Sequence, residues 1–97
     1  MINYVGLLKV KAGMRNAYLE ELKKTGLIET FRGQEGNVYY QVAGSIMEED
    51  IVIVTDGWED MRTFTEHDTC SLVDDVWKPL AEKYVLETTS YILETRG

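Results

Sequence analysis

The sequence contains few of the residues that build disulfide bonds or metal centres. Its one cysteine, Cys70, has no partner for an internal disulfide, and one cysteine with one histidine, His67, cannot build a structural zinc site. No apolar run approaches the ~20 residues that a membrane span requires, and no basic segment leads into an apolar signal region at the N-terminus. We therefore expect a cytoplasmic protein with a reduced thiol and no metal.

Basic residues are also scarce. Ten lysines and arginines stand against 17 aspartates and glutamates, which gives a formal net charge of −7 at pH 7. Binding to nucleic acid depends on clustered Lys and Arg that neutralise phosphates, whereas acidic residues are interspersed throughout this chain. The composition argues against a nucleic-acid partner and favours a neutral or cationic small ligand.

The most informative segment that is present runs from Ile51 to Trp58. It opens with four consecutive β-branched apolar residues and continues through Asp56 and Gly57 to the tryptophan. Successive side chains of a strand point to opposite faces, so an unbroken apolar run predicts a strand that is covered on both faces. Strand 2–10 also lacks clean alternation, and we expect it to be central in the sheet as well.

The remaining elements follow from apolar spacing and turn residues in a chain whose length fits one domain, residues 1–97. A helix is predicted over 14–25 with Gly26 as its cap, and residues 27–33 form a connector with room for one helical turn. Strand 37–44 should place Val38, Tyr40 and Val42 on one face, and loop 45–50 should join it to strand 51–58 in an antiparallel hairpin. A short helix begins after Asp60 and ends near His67; a longer helix, interrupted by Pro79, and strand 85–95 complete the chain.

The order strand, helix, strand, strand, helix, strand predicts an α+β fold of the ferredoxin-like βαββαβ type, with a four-stranded antiparallel sheet. Two helices cover one face of such a sheet. Because the central strands are apolar on both faces, the uncovered face would be a large apolar patch unless a second chain covered it. We therefore expect a homodimer that packs sheet to sheet.

Short motifs along this framework resemble the antibiotic biosynthesis monooxygenase domain family. The residues that carry the resemblance are Glu35-Gly36, Val38, Tyr40, Asp56-Gly57-Trp58 and His67. The resemblance implies a dimeric α+β barrel with a pocket between sheet and helices. Some members oxidise quinols or polycyclic phenols with O₂ and without metal or flavin; others degrade haem, isomerise substrates or only bind small molecules.

Four positions depart from the family pattern. Gln34 stands where an acidic residue is usual, and Asp56 replaces a glutamate two places before the tryptophan. Gly6 and Trp77 stand about where the haem-degrading branch carries an asparagine and a histidine. These last two positions argue against haem degradation.

Four residues are candidates for the site: His67, Tyr40, Trp58 and Asp56. His67 has the one side chain whose ordinary pKa lies near neutrality, which suits a general base for a phenolic proton; the alternative is a histidine that interacts with its helix end. Tyr40 either donates a hydrogen bond to a substrate oxygen or fills the core, and Trp58 either lines the pocket or anchors the core. Asp56 either orients His67 or the Trp58 indole, or caps the following turn.

The sequence therefore predicts a cofactor-independent monooxygenase that acts on an aromatic, quinol-like small molecule, with His67 as base. Two alternatives stay open. The same dimer can bind a small apolar ligand without chemistry, or it can be an isomerase that acts by proton transfer and needs no oxygen.

Overall fold

Strands and helices form where the apolar spacing predicts them. The structure, a computed structural model, describes residues 1–96; Gly97, the last residue of the predicted domain, lies outside the described residues. The elements in chain order are β1 (Ile2–Val10), α1 (Arg15–Thr25), α2 (Leu27–Arg32), β2 (Asn37–Gly44), β3 (Ile51–Trp58), α3 (Met61–Asp68), α4 (Lys78–Tyr84) and β4 (Val85–Glu94). Three strands have the predicted bounds, and the fourth ends one residue early, which is within the usual fraying of element ends.

Local signals explain where the helices begin and end. Gly26 ends α1 with φ of 72°, a left-handed conformation that glycine adopts without steric cost, and its N–H donates to the Lys23 carbonyl. The segment after it, predicted as a connector with at most one helical turn, is the short helix α2. At α3 the predicted cap is confirmed. The Asp60 carboxylate accepts a hydrogen bond from the Thr63 N–H at 2.9 Å, and the Asp60 N–H donates to Thr63 Oγ1 at 3.4 Å.

The long last helix is irregular next to its proline. Residues Val73–Trp77 form a π-helical turn, and the Lys78 N–H donates to the Val73 carbonyl five residues back. Pro79 then lies in the first turn of α4, which continues from the π-helical turn without a break, and its ring nitrogen has no N–H to donate to that turn. The proline is therefore accommodated by a widened turn directly before it, within the region where the sequence predicts a distortion.

The four strands form one antiparallel sheet in the order β2-β3-β1-β4, and the predicted ferredoxin-like α+β fold class is confirmed. The hairpin of β2 and β3 is also confirmed. The prediction that Val38 shares a face with Tyr40 is wrong, because the register shifts between Asn37 and Tyr39 and leaves Val38 52% exposed. A bulge of this kind inserts one residue that has no partner on the neighbouring strand.

The two faces of the sheet differ in how well they are covered. The helix side holds the core, including Leu8, Val10, Val52 and Val54, which are all buried. The opposite face carries large apolar side chains from β1, β3 and β4 that are only partly covered. They are Val5, Leu7, Ile51, Ile53, Tyr91 and Leu93. We call these six residues the open face.

Candidate active site

His67 lies on the last turn of α3 and points into the core instead of into solvent. Its side chain is 6% exposed. The imidazole stacks on the Trp58 ring with centroids 4.5 Å apart and planes at 20°, and it meets the Phe31 ring edge to face at 4.6 Å. The Tyr40 ring lies 5.5 Å away on a third side. Three aromatic rings from α2, β2 and β3 therefore hold the imidazole in place.

One hydrogen bond defines which nitrogen of His67 carries the proton. His67 Nδ1 lies 2.8 Å from Gln34 Oε1, and the Gln34 amide nitrogen lies 3.7 Å from Cys70 Sγ. With the amide in this orientation its oxygen only accepts, so Nδ1–H is the donor of this hydrogen bond and Nε2 keeps its lone pair. Nε2 has no hydrogen-bond partner among residues 1–96. Burial lowers the pKa of His67 to about 4, because the charged imidazolium loses its hydration. At neutral pH the ring is uncharged and Nε2 is an acceptor.

Asp56 is the second polar group at this point of the core. It is 1% exposed, and its Oδ2 accepts a 2.6 Å hydrogen bond from the Trp58 indole Nε1. Its other oxygen, Oδ1, is buried without a hydrogen-bond partner among the described residues. Burial raises the pKa of Asp56 to about 6, and the indole hydrogen bond lowers it in part. Asp56 binds the tryptophan and forms no hydrogen bond with His67.

A small cavity joins these groups. It has a volume of about 60 Å³, and Tyr40, Asp56 and His67 contribute to its wall, whereas Trp58 is fully buried behind His67. A wider cleft of about 400 Å³ adjoins it toward α4 and β4. The cavity and the cleft share four wall residues: Tyr4, Asp68, Val73 and Trp77. Three of the four candidate residues therefore line one cavity, and the fourth supports two of them.

Two residues of the site were missed by sequence reasoning. Gln34 appears in the sequence only as a departure from a motif, yet it is the partner of His67 across 33 positions. Tyr4 sits in an apolar strand, and its ring lies against the backbone of Gly6, where an added Cβ would be 2.9 Å from the ring. A tyrosine two places before a glycine in a central strand was the one available signal for this packing.

The fold and the cavity define a class: a ferredoxin-like α+β protein with an aromatic-lined polar pocket between its sheet and its helices. Comparison with known families identifies it further. The model of the antibiotic biosynthesis monooxygenase family matches residues 1–70, and the chain belongs to that family. The resemblance noted in the sequence is therefore confirmed. A comparison with curated proteins found no match.

Solved structures with the same fold come from several organisms. The chain is similar to a candidate antibiotic biosynthesis monooxygenase from Nitrosomonas europaea, with a TM-score of 0.85, 14% identity and 98% of each chain covered. It is also similar to a conserved protein from Methanosarcina mazei, with a TM-score of 0.84, 22% identity, and 98% of this chain and 92% of that chain covered. At these identities the likeness shows the fold.

Two further observations concern the described residues as a whole. No helix within residues 1–96 is long and apolar enough to cross a membrane. The same part of the chain has no cluster of three or more His, Cys, Asp or Glu side chains placed to hold a metal ion.

Proposed function

We propose that this protein is a cofactor-independent monooxygenase that oxidises a small hydroxylated aromatic compound, such as a quinol. The observation that carries the proposal is the wall of the small cavity. There, a neutral histidine, a buried carboxyl group and a tyrosine surround a space that adjoins a larger cleft with apolar and acidic residues in its wall. Groups that accept a proton next to an aromatic-lined pocket are what activation of a phenolic hydroxyl requires. Membership of the family supports the same activity.

The sizes of the two spaces indicate how such a substrate would bind. The inner cavity, about 60 Å³, has room for a hydroxyl group or a diatomic molecule but not for an aromatic ring. The cleft of about 400 Å³ lies within the range of small-molecule sites. The ring would lie in the cleft and direct one hydroxyl group inward. Asp68, Glu82 and Glu87 line the cleft, and Lys78 is paired with Asp74, so an anionic substrate would be repelled.

The chemistry balances without a further co-reactant. A quinol and O₂ give a hydroxylated quinone and water: one oxygen atom enters the ring, the other leaves as water, and the substrate supplies all the electrons. Loss of the hydroxyl proton makes the ring electron-rich enough to pass an electron to O₂. The role of the protein is to hold the ring, accept the proton and exclude bulk water from the reacting centre.

The proposal predicts O₂-dependent turnover of uncharged quinols. We expect the wild-type protein to consume O₂ with hydroquinones and to place one atom of isotopically labelled O₂ in the product. A hydroquinone that bears a carboxylate is the matched control and should react at least about tenfold more slowly, because each repulsion of about 1.4 kcal/mol is a factor of ten. Product without O₂ would indicate an isomerase, and ligand-dependent thermal stabilisation without product would indicate a binding module; either result contradicts the proposal.

We further propose that the protein acts as a homodimer that packs through the open face. Leu7 lies at the centre of this face, directly opposite Ile53 on β3 and Thr89 on β4, and it is 41% exposed. An apolar sheet face of this kind is stable in water when another surface covers it. The arrangement leaves the helix-side cavity of each chain separate from the contact.

Substitution on the open face tests the dimer. We expect the wild-type protein to have the mass of two chains in sedimentation, and Leu7→Glu to have the mass of one, because a carboxylate buried at the contact would be unpaired. Met61→Glu is the matched control, since Met61 is also exposed, at 51%, but lies on α3 away from this face. A wild-type protein that remains a single chain at micromolar concentration would refute the dimer.

A further inference from the structure

A second cleft lies on the helix side of the sheet, apart from the inner cavity. It has a volume of about 510 Å³ and shares no wall residue with the inner cavity or with the cleft toward α4 and β4. Helices α1 and α2 and strand β2 form its walls, and we call it the α1–α2 cleft. Its wall residues are Leu19, Leu22, Lys23, Gly26, Ile28, Glu29, Arg32 and Val42. The proposed oxidation makes no use of this cleft.

The two helices leave the cleft open because of how their residues are spaced. On α2, Leu27 and Phe31 are four positions apart and buried in the core, so Ile28 and Arg32 lie together on the side turned away from it. Gly26, between the two helices, has no side chain, and a Cβ at this position would meet no atom within 4 Å. The corner between α1 and α2 is therefore not filled by the chain itself.

The wall of the cleft is mainly apolar. Leu22 is 2% exposed, and Leu19, Ile28 and Val42 are partly buried around it. Apolar side chains around a space of this size are typical of small-molecule sites, which have volumes of about 300–1,000 Å³. A protein partner fits less well, because the eight wall residues are far fewer than the roughly 20–30 that a stable interface uses on each side.

The neighbouring edge of the sheet is also closed to an added strand. Strand β2 is an edge strand, and the Arg32 guanidinium donates to the Tyr40 carbonyl from Nε at 3.1 Å and from Nη2 at 2.9 Å. A peptide that paired with β2 here would have to displace the guanidinium from this carbonyl. The contacts therefore favour a small molecule over a peptide strand.

The charges of the wall favour an anion. Arg32 is paired with Glu29, whereas Lys23 is exposed and forms no ion pair among residues 1–96. Two cations and one carboxylate leave one uncompensated positive charge here, in a chain whose formal net charge is −7. The cleft toward α4 and β4 has the opposite balance, with three acidic residues and one lysine in its wall. A carboxylate that the acidic cleft would repel is therefore attracted to the α1–α2 cleft.

The carbonyl end of α1 does little to oppose an anion at Lys23. The Lys23 carbonyl accepts a hydrogen bond from the Gly26 N–H, and the Leu22 carbonyl accepts one from the Thr25 hydroxyl. These bonds satisfy carbonyls that would otherwise carry the negative end of the helix dipole. The Lys23 ammonium is therefore free to bind a carboxylate at the rim.

We propose that the α1–α2 cleft binds an apolar carboxylic acid, such as a medium-chain fatty acid. Its hydrocarbon chain lies against the apolar wall, and its carboxylate pairs with the Lys23 ammonium. Arg32 does not take this role, because its guanidinium already contacts Glu29 and the Tyr40 carbonyl. The site is separate from the one proposed for oxidation, so either can be present without the other.

Titration of the 97-residue chain with octanoate, followed by ¹H–¹⁵N NMR at low ionic strength, tests the proposal. We expect saturable binding, with shift changes at Ile28 and Val42 and none at Trp77, which lies in the wall of the other cleft. Lys23→Glu should weaken binding about tenfold, because an attraction is replaced by a repulsion. Lys24→Glu is the matched control, since Lys24 is the next exposed residue of the same helical turn but is absent from the wall; it should weaken binding less than about threefold.

Two further ligands separate the apolar contact from the charge. Acetate has the carboxylate without the chain, and octylamine has the chain with the opposite charge; each should bind at least about tenfold more weakly than octanoate. Both lysines are exposed, so both variants should keep the wild-type spectrum. Absence of saturable octanoate binding, equal weakening by the two substitutions, octylamine binding as tight as that of octanoate, or shift changes at Trp77 alone would overturn the proposal. None of these results bears on the oxidation of quinols.

Discussion

The stability of the Asp56→Asn variant is expected to increase by about 3 kcal/mol of unfolding free energy when the pH rises from 4 to 6.5. Over the same range the stability of the His67→Gln variant is expected to decrease by about 3 kcal/mol. The wild type should change little over the same range, since the two effects oppose each other. This is a large effect for a domain of this size, whose whole stability is of the order of 5–15 kcal/mol.

The signs follow from the two buried groups. The pKa of His67 falls from 6.5 unfolded to about 4 folded, so the unfolded chain binds more protons in this range and stability rises with pH. The pKa of Asp56 rises from 3.8 unfolded to about 6 folded, so the folded chain binds more protons and stability falls with pH. Each single variant removes one of these contributions and leaves the other.

Urea unfolding at several pH values measures both effects. The double variant Asp56→Asn/His67→Gln is the control, because it keeps every other titrating group and should follow the shallow dependence of the wild type. If both single variants show the same slope, the two side chains do not titrate as their burial requires, and the assignment of a neutral His67 to the site would be lost with them.

Gly36→Ala is the second substitution with a large expected effect, a loss of about 2–5 kcal/mol of unfolding free energy. Gly36 has φ of +80°, and an added Cβ would lie 2.5 Å from three side-chain atoms of Thr63. Thr63 is buried and belongs to the capping box of α3, the helix that carries His67. The substitution therefore combines backbone strain with a clash against the start of that helix.

Gly13→Ala provides the matched control. Gly13 has φ of +74°, nearly the same backbone conformation, but an added Cβ would meet no atom within 4 Å. Its expected loss is about 1–2 kcal/mol, from the left-handed backbone alone. Thermal or urea unfolding of the two variants isolates the contact with Thr63. Equal losses at both positions would show that the loop before β2 moves away from α3 at little cost.

The fold was predictable because its signals are local. The β-branched run at Ile51–Val54, the glycine at position 26 and the aspartate at position 60 each act on their immediate neighbours, and each element forms where these signals place it. The bulge at Val38 was not predictable in the same way. It depends on how β2 aligns with β3, and strict alternation in the sequence gives no sign of the extra residue.

The candidate site was predictable as a set of residue types and not as an arrangement. His67, Asp56 and Tyr40 stand out as polar or aromatic residues near apolar segments, and all three line one cavity. Their states depend on neighbours distant in sequence. The proton on Nδ1 depends on Gln34, and the neutral ring depends on Phe31, which was read only as part of a connector.

By itself, the sequence determined the order of strands and helices, the antiparallel sheet and the membership of the family, because periodicity and caps act over a few residues. The tertiary structure decided which oxygen of Asp56 is free, which nitrogen of His67 carries the proton and how large the inner cavity is. The physical reason is that hydrogen-bond partners and desolvation come from packing between α2, α3, β2 and β3, and a linear pattern does not specify how closely those elements approach.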